Sequence, residues 1–177
     1  MILSSKEILK RVSDTGLVSG LSERELTNPE GPGFDLRVGE IFTIDGNGYL
    51  GNNSRKTPES SKVEDIVNNL ITIKPGDYYL IKTIEEVKMD KDTFAMVYPR
   101  STLFRSGLQL LSGKISPGYY GNLTFGLANI GPCEFTLEIG ARVAFIAFFE
   151  VKDGEDNLSR GQWRGGRVSA DKLEKQV

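Results

Sequence analysis

The stretch Pro99-Arg100-Ser101-Thr102-Leu103-Phe104-Arg105-Ser106-Gly107-Leu108 holds the densest set of groups that could do chemistry. Two arginines and two hydroxyls follow a turn-forming proline. If Ser101 caps a short helix, free backbone N–H groups and both hydroxyls face one spot, and that spot suits a phosphate. Arg100 and Arg105 can add charge-assisted, bidentate bonds. The plainer alternative is a surface turn with two solvated arginines. From Arg100 to Cys133 the chain contains no Asp or Glu, although Arg100, Arg105 and Lys114 are present. An apolar, glycine-rich segment with only positive charge reads as a cradle for a polyanion. It also reads as a site without a general base.

Histidine is absent from the whole chain. That excludes a Ser-His-Asp triad, a Cys-His dyad and histidine-ligated zinc, and the lone Pro132-Cys133 is not the zinc-deaminase motif. Hydrolysis would have to rest on carboxylates, hydroxyls, backbone groups or a Mg²⁺ carried in by the substrate. Zinc is therefore not an expected cofactor. Glu134 and Glu138 flank a strand and read as solvated, with a relocated base as the sharper alternative. Asp35 and Arg37 read as a structural ion pair, and Cys133 as a buried small residue. The tract Arg160-Gly161-Gln162-Trp163-Arg164-Gly165-Gly166-Arg167 has the composition of a mobile tail that folds over a phosphorylated ligand. Its Trp163 could pack against the body of the protein or stack on a base, and Lys114 could be a surface lysine or a phosphate contact.

These residues need a scaffold. At 177 residues the chain is most simply one domain. A formal net charge of −2 argues against bulk nucleic-acid binding. The longest apolar run, Val143 to Phe149, fits a buried strand and falls far short of a membrane span. The first ten residues lack a signal-peptide layout, and a single cysteine cannot form an internal disulfide. A cytoplasmic protein with neither membrane nor nucleic-acid partners is the expectation.

Ser4 followed by Glu7 is a capping-box pattern, and Ile8, Leu9 and Val12 recur at helical spacing, which predicts a short helix over 4–13. Residues 14–33 are turn-rich. Strands are predicted at Phe34–Val38, Glu40–Ile44, Leu70–Ile73, Tyr78–Thr83, Phe94–Tyr98, 108–115, Leu123–Ala128, Phe135–Glu138 and Arg142–Val151. Many short strands separated by turns such as Lys74-Pro75-Gly76-Asp77 indicate an all-β barrel or sandwich. Residues 45–62 read as an exposed loop or hairpin insertion.

Five segments in order resemble the dCTP deaminase / dUTPase family. They are Met1-Ile2-Leu3-Ser4 with Lys6-Glu7-Ile8, Phe34-Asp35-Leu36-Arg37-Val38-Gly39, Arg100-Ser101-Thr102-Leu103-x-Arg105-x-Gly107-Leu108, Ile115-Ser116-Pro117-Gly118-Tyr119-x-Gly121, and Leu137-x-x-Gly140 before an apolar strand. The resemblance implies an all-β distorted jelly-roll of the dUTPase-like type with a short N-terminal helix. The β domain would occupy 1–151 and a tail 152–177 would close over the site. It implies a homotrimer with sites at subunit boundaries, a Mg²⁺-complexed dCTP or dUTP as partner, and deamination of dCTP and/or cleavage of dUTP to dUMP and pyrophosphate. By position Arg100, Ser101, Thr102 and Arg105 would hold phosphates, with Lys114 near them. Ser112 would supply a carbonyl that positions water, and Gln162, Trp163 and Arg164 would close over the nucleotide. The family's acid positions fall on Ser116, where Asp is usual, and Gly126, where Glu is usual. Serine and glycine supply no acid–base catalysis near neutral pH, which is typically worth ~10²–10⁴-fold. The alternative to an enzyme is therefore a catalytically impaired nucleotide-binding or scaffold homologue.

Overall fold

The computed structural model of the chain describes residues 1–154, 158, 159 and 161–176. In chain order the elements are α1 (Ser5–Thr15), β1 (Val18–Ser19), α2 (Glu23–Thr27), β2 (Gly33–Asp45), β3 (Tyr49–Leu50), β4 (Ser54–Lys56), β5 (Glu59–Lys62), β6 (Leu70–Ile73) and β7 (Tyr78–Lys88). They continue with β8 (Thr93–Pro99), α3 (Ser101–Arg105), β9 (Leu108–Leu111), β10 (Lys114–Ile115), β11 (Tyr120–Asn129), β12 (Phe135–Glu138), β13 (Arg142–Glu150) and β14 (Glu174–Lys175). The all-β class with a short N-terminal helix is what the structure has.

β2 organises the rest. Its first half, Gly33 to Arg37, pairs antiparallel with β13, and its second half, Val38 to Phe42, pairs with β7. The register shifts between Val38 and Glu40, so the two strands expected at 34–38 and 40–44 are one bent strand. The bend joins two curled halves, β10-β8-β13-β2 and β2-β7-β11-β9. Between them lies the core. Phe34, Leu36, Val38 and Ile41 of β2 are fully buried with Ile146 and Phe148 of β13 and Ile81 of β7. Phe34 and Phe148 meet edge to face at 6.1 Å. Each such side chain contributes about 1.5–3 kcal/mol on burial.

α1 begins as its sequence dictates, with the Ser4 Oγ accepting from the Glu7 N–H. Its Ile8 is buried in the core. Arg11 ties it to the sheet through both Asp92 oxygens, at 2.6 and 3.1 Å, and through Thr93 Oγ1. That guanidinium holds the Asp92 carboxyl below the usual carboxylate range.

Two expectations are corrected. Asp35 does not pair with Arg37. It lies under Arg24, Arg100 and Arg142, while Arg37 bonds Glu85 at 2.7 Å. Residues i and i+2 on a strand share a face, but each here meets a closer partner from another segment. Cys133 is exposed, because it sits in the turn before β12 and not within a strand. Much of the described tail packs on its own chain. Thr57 and Ala170 exchange two hydrogen bonds, at 2.9 and 2.7 Å, and Ser60 Oγ meets Ser169 Oγ at 2.7 Å. β14 pairs with β4 of the 45–62 insertion, which is a hairpin plus an edge strand on β2. Arg160, the first residue of the arginine-glycine tract, lies outside the described residues.

Candidate functional site

α3 is one turn of helix between β8 and β9. Its N-cap is Arg100, with no side-chain cap, so Ser101 is the first helical residue and not the cap. Arg100 is held from behind. Its Nη1 donates to both oxygens of Asp35, at 2.6 and 2.7 Å. Arg142 and Arg24 reach the same carboxylate at 2.8 and 3.2 Å. Glu25, also buried, accepts from the Asp35 N–H at 3.0 Å and pairs with Arg24. This network fixes the start of α3 to β2 and β13. Ser101, Thr102 and Arg105 are exposed, and their side chains make no hydrogen bond or ion pair among the described residues. Leu103 anchors the turn in the core.

A cavity of about 460 Å³ lies beyond β9, a size suited to a small organic ligand. Besides Leu80 of β7, its walls come from two places. The β10 turn and β11 supply Lys114, Ser116, Tyr119, Thr124, Phe125 and Gly126, and the tail supplies Ser159, Gln162, Trp163 and Arg167. No acidic residue lines it among the described residues. Lys114 Nζ donates to Ser116 Oγ at 3.2 Å. Tyr119 donates its hydroxyl to the Asn122 carbonyl at 2.8 Å, and burial pushes its phenol above the ordinary range, so it stays a protonated donor at neutral pH. Among the described residues no group of three Asp, Glu, His or Cys could hold a resident metal ion.

The tail forms the roof by close backbone approach. The Ser159 N–H donates to the Pro117 carbonyl and the Gly165 N–H to the Tyr120 carbonyl, both at 2.8 Å. A Cβ on Gly121 would overlap the Gly165–Gly166 backbone, and Gly121 has φ of +118°. Only glycine lets the roof sit there. Trp163 stacks on Arg55 of the insertion, whose guanidinium carbon is 4.4 Å from the ring centroid, with Arg167 at 5.8 Å. Trp163 therefore packs on the chain itself and also faces the cavity. Arg167 hydrogen-bonds Glu174, and with Arg55 it holds that carboxyl below the usual range.

The sequence candidates divide into three sets. Lys114, Ser116, Gly126, Gln162 and Trp163 converge on the cavity. Arg100, Ser101, Thr102 and Arg105 do not line it. Ser112 and Arg164 bond their own backbone neighbourhood, Ser112 Oγ to the Val97 carbonyl at 2.8 Å and Arg164 to the Ser159 carbonyl, and neither lines the cavity. Among the residues that sequence reading missed, Arg167 and Thr124 line the cavity and Tyr78 abuts it at Gly126. Arg167 sat within the singled-out tract. Thr124 is two residues from Gly126 on the same strand face, a period-2 signal that was there to use. Tyr78 has no local signal. It reaches Gly126 only because β7 pairs with β11.

The comparisons fit this arrangement. Residues 2–151 match the dCTP deaminase-like family. The dCTP deaminase of Thermococcus kodakarensis is 30% identical over 168 residues, covering 94% of each chain. The deoxyuridine 5'-triphosphate nucleotidohydrolase of Methanocaldococcus jannaschii is 32% identical over 123 residues, 68% of this chain and 78% of that protein. In fold, the crystal structure of 2'-deoxycytidine 5'-triphosphate deaminase from Agrobacterium tumefaciens superposes with a TM-score of 0.64 at 15% identity. It covers 83% of this chain, which spans under half (46%) of that one. With the family match running through β2, α3, the β10 turn and β11, which together carry Asp35, the α3 arginines and the cavity wall, this chain belongs to the dCTP deaminase-like family.

Proposed function

We propose that the protein binds a pyrimidine deoxyribonucleoside triphosphate, dCTP or dUTP with its Mg²⁺, and acts in pyrimidine deoxynucleotide metabolism as a deaminase or diphosphatase-type hydrolase of the cytoplasm. One observation carries the reading. A nucleoside-sized cavity is walled by apolar and hydroxyl groups with the cation Lys114 and with Arg167, which pairs with Glu174, and it lacks acids among its described lining. Such a wall attracts an anion. The relatives named for dCTP and dUTP supply the substrate class.

The phosphate-binding turn and the cavity lie apart in one chain. The homotrimer reading brings α3 of one subunit to the cavity of another. Exposed Met96, Tyr98, Phe104 and Leu111, on and beside α3, suit such a contact. Arg105 is the free cation of α3 among the described residues and would meet the triphosphate. Lys114 lines the cavity and would assist it. Mg²⁺ would arrive on the phosphates.

Deamination adds water at C4 of cytosine and expels ammonia, and cleavage of dUTP releases pyrophosphate. Both need proton transfer, and Ser116 and Gly126 supply none. The acid-free wall therefore favours a second reading, a nucleotide-binding homologue with little turnover. Chromatography of products from dCTP and dUTP with Mg²⁺, run beside calorimetric titration, decides. Turnover near 1 s⁻¹ or faster, ordinary for enzymes at about that order, establishes the hydrolase. Binding without turnover establishes the second reading. No binding of either nucleotide overturns both.

A further inference from the structure

Gly126 is the bare point of the cavity wall, and a neighbour fills it. A Cβ there would overlap the Tyr78 hydroxyl oxygen and stand 3.1 Å from Tyr78 Cζ and 3.2 Å from Leu111 Cβ. Tyr78 pairs with Ala128 and Leu80 pairs with Gly126, so the Tyr78 ring leans one same-face position along the sheet to cover the glycine. The Tyr78 hydroxyl has no hydrogen-bond partner among the described residues, and the residue is 38% exposed. On the other side of Gly126, Thr124 projects from the same face. Its Oγ1 is buried and without a hydrogen-bond partner, and the residue lines the cavity. Leaving a buried hydroxyl unpaired is costly, and a ligand that pairs it recovers that cost.

We propose that Tyr78 and Thr124 are the base-recognition residues of this site. Their two hydroxyls flank Gly126 and hydrogen-bond the polar edge of a pyrimidine ring lying against Leu80, which pairs with Gly126 on the same face. The assignment rests on the nucleotide reading of the cavity given above. A hydroxyl both donates and accepts. It can donate to a ring carbonyl or accept from a ring amine by rotating its proton. An ionised carboxylate at position 126 would only accept, and would favour the amine. The hydroxyl pair therefore serves cytosine and uracil alike, and the site discriminates weakly between dCTP and dUTP. Tyr78 and Gly126 act as one unit, because a side chain at 126 displaces the phenol.

The test is calorimetric titration of the full chain with dCTP, dUTP and inorganic tripolyphosphate. Wild type is compared with Tyr78→Phe and Thr124→Val, each removing one hydroxyl with little change of shape. Each variant is expected to bind both nucleotides roughly three- to tenfold more weakly, the loss of about one hydrogen bond, with tripolyphosphate binding unchanged. Gly126→Ala is expected to reproduce the Tyr78→Phe loss and to add nothing in a Tyr78→Ala background. Nucleotide binding unchanged in both hydroxyl variants, or lost equally for all three ligands, overturns the assignment while the nucleotide function stands. A wild type that binds neither nucleotide overturns that function and this assignment with it.

Discussion

Around Asp35 three arginines converge on one buried carboxylate, and Glu25 adds a second acid beneath them. Around Gly126 the described wall holds hydroxyls, an amide and two cations, and no acid. The two regions use charge in opposite ways. The first neutralises its arginines internally and fixes the base of α3. In the second, Lys114 has only a hydroxyl partner among the described residues, and Arg167 pairs with Glu174, which does not line the cavity. Arg100 shows the division within one motif. It reads as a phosphate ligand, yet its Nη1 is spent on Asp35, and Arg105 five residues on is the cation left over.

The sharpest way to break the comparison is Asp35→Ala. Removing the one buried acid shared by three arginines, Arg100 half-buried and Arg24 and Arg142 exposed, should cost about 3 kcal/mol or more of unfolding free energy, read by denaturant titration. A loss under about 1 kcal/mol, the scale of an exposed pair, would show that the cluster is no scaffold. Next come the positions where the cavity depends on glycine. Gly126→Glu should cost about 1–3 kcal/mol by overpacking against Tyr78 and Leu111, and combining it with Tyr78→Ala should recover most of that. A Gly126→Glu melting curve equal to wild type would mean that Tyr78 simply swings aside. Gly121→Ala should cost a similar ~1–3 kcal/mol, with a red-shifted Trp163 emission as the roof lifts. Unchanged emission would place the roof's hold elsewhere. Arg105→Ala touches neither region's packing. It should leave stability within about 0.5 kcal/mol and weaken triphosphate binding roughly tenfold, and equal affinity would remove Arg105 from the phosphate site.

The smallest effect belongs to the Arg11–Asp92 pair. The Asp92 carboxyl is depressed in the folded protein, chiefly by its hydrogen bonds from Arg11. Its contribution is therefore complete above the unfolded value near pH 4 and is lost as pH falls through the folded value. Asp92 is part-exposed, so Asp92→Asn should cost only about 0.5 kcal/mol at pH 7, and the difference from wild type should vanish near pH 2. A gap that persists there would mean packing and not charge.

Much of the scaffold was legible because its signals are local. Ser4 and Glu7 announce α1, and the period-2 runs give β12 at Phe135–Glu138 and the body of β13. The bend in β2 was not, because Gly39 reads as a break when it is a change of register within one strand. The site was half legible. Lys114, Ser116 and Gly126 could be placed by order along the chain, since one turn and one strand carry them. The rest depends on partners far apart in sequence. Asp35 meets Arg100 and Arg142, Tyr78 covers Gly126, and Thr57 holds Ala170. No spacing rule reaches those pairs, because the sheet's closure sets them.

The tail's anchorage has a consequence in time. The roof is held by a two-residue strand pair and by scattered single bonds, Thr57–Ala170, Ser159–Pro117, Gly165–Tyr120 and Gln176–Asn53 among them, while the sheet behind it is built on strands of seven or more residues such as β7, β8 and β11. Local opening follows the weakest cooperative unit. Amide protons of the tail should therefore exchange with solvent on their own clock, well ahead of those in β7 and β11, so that the cavity breathes while the sheet behind it stays shut.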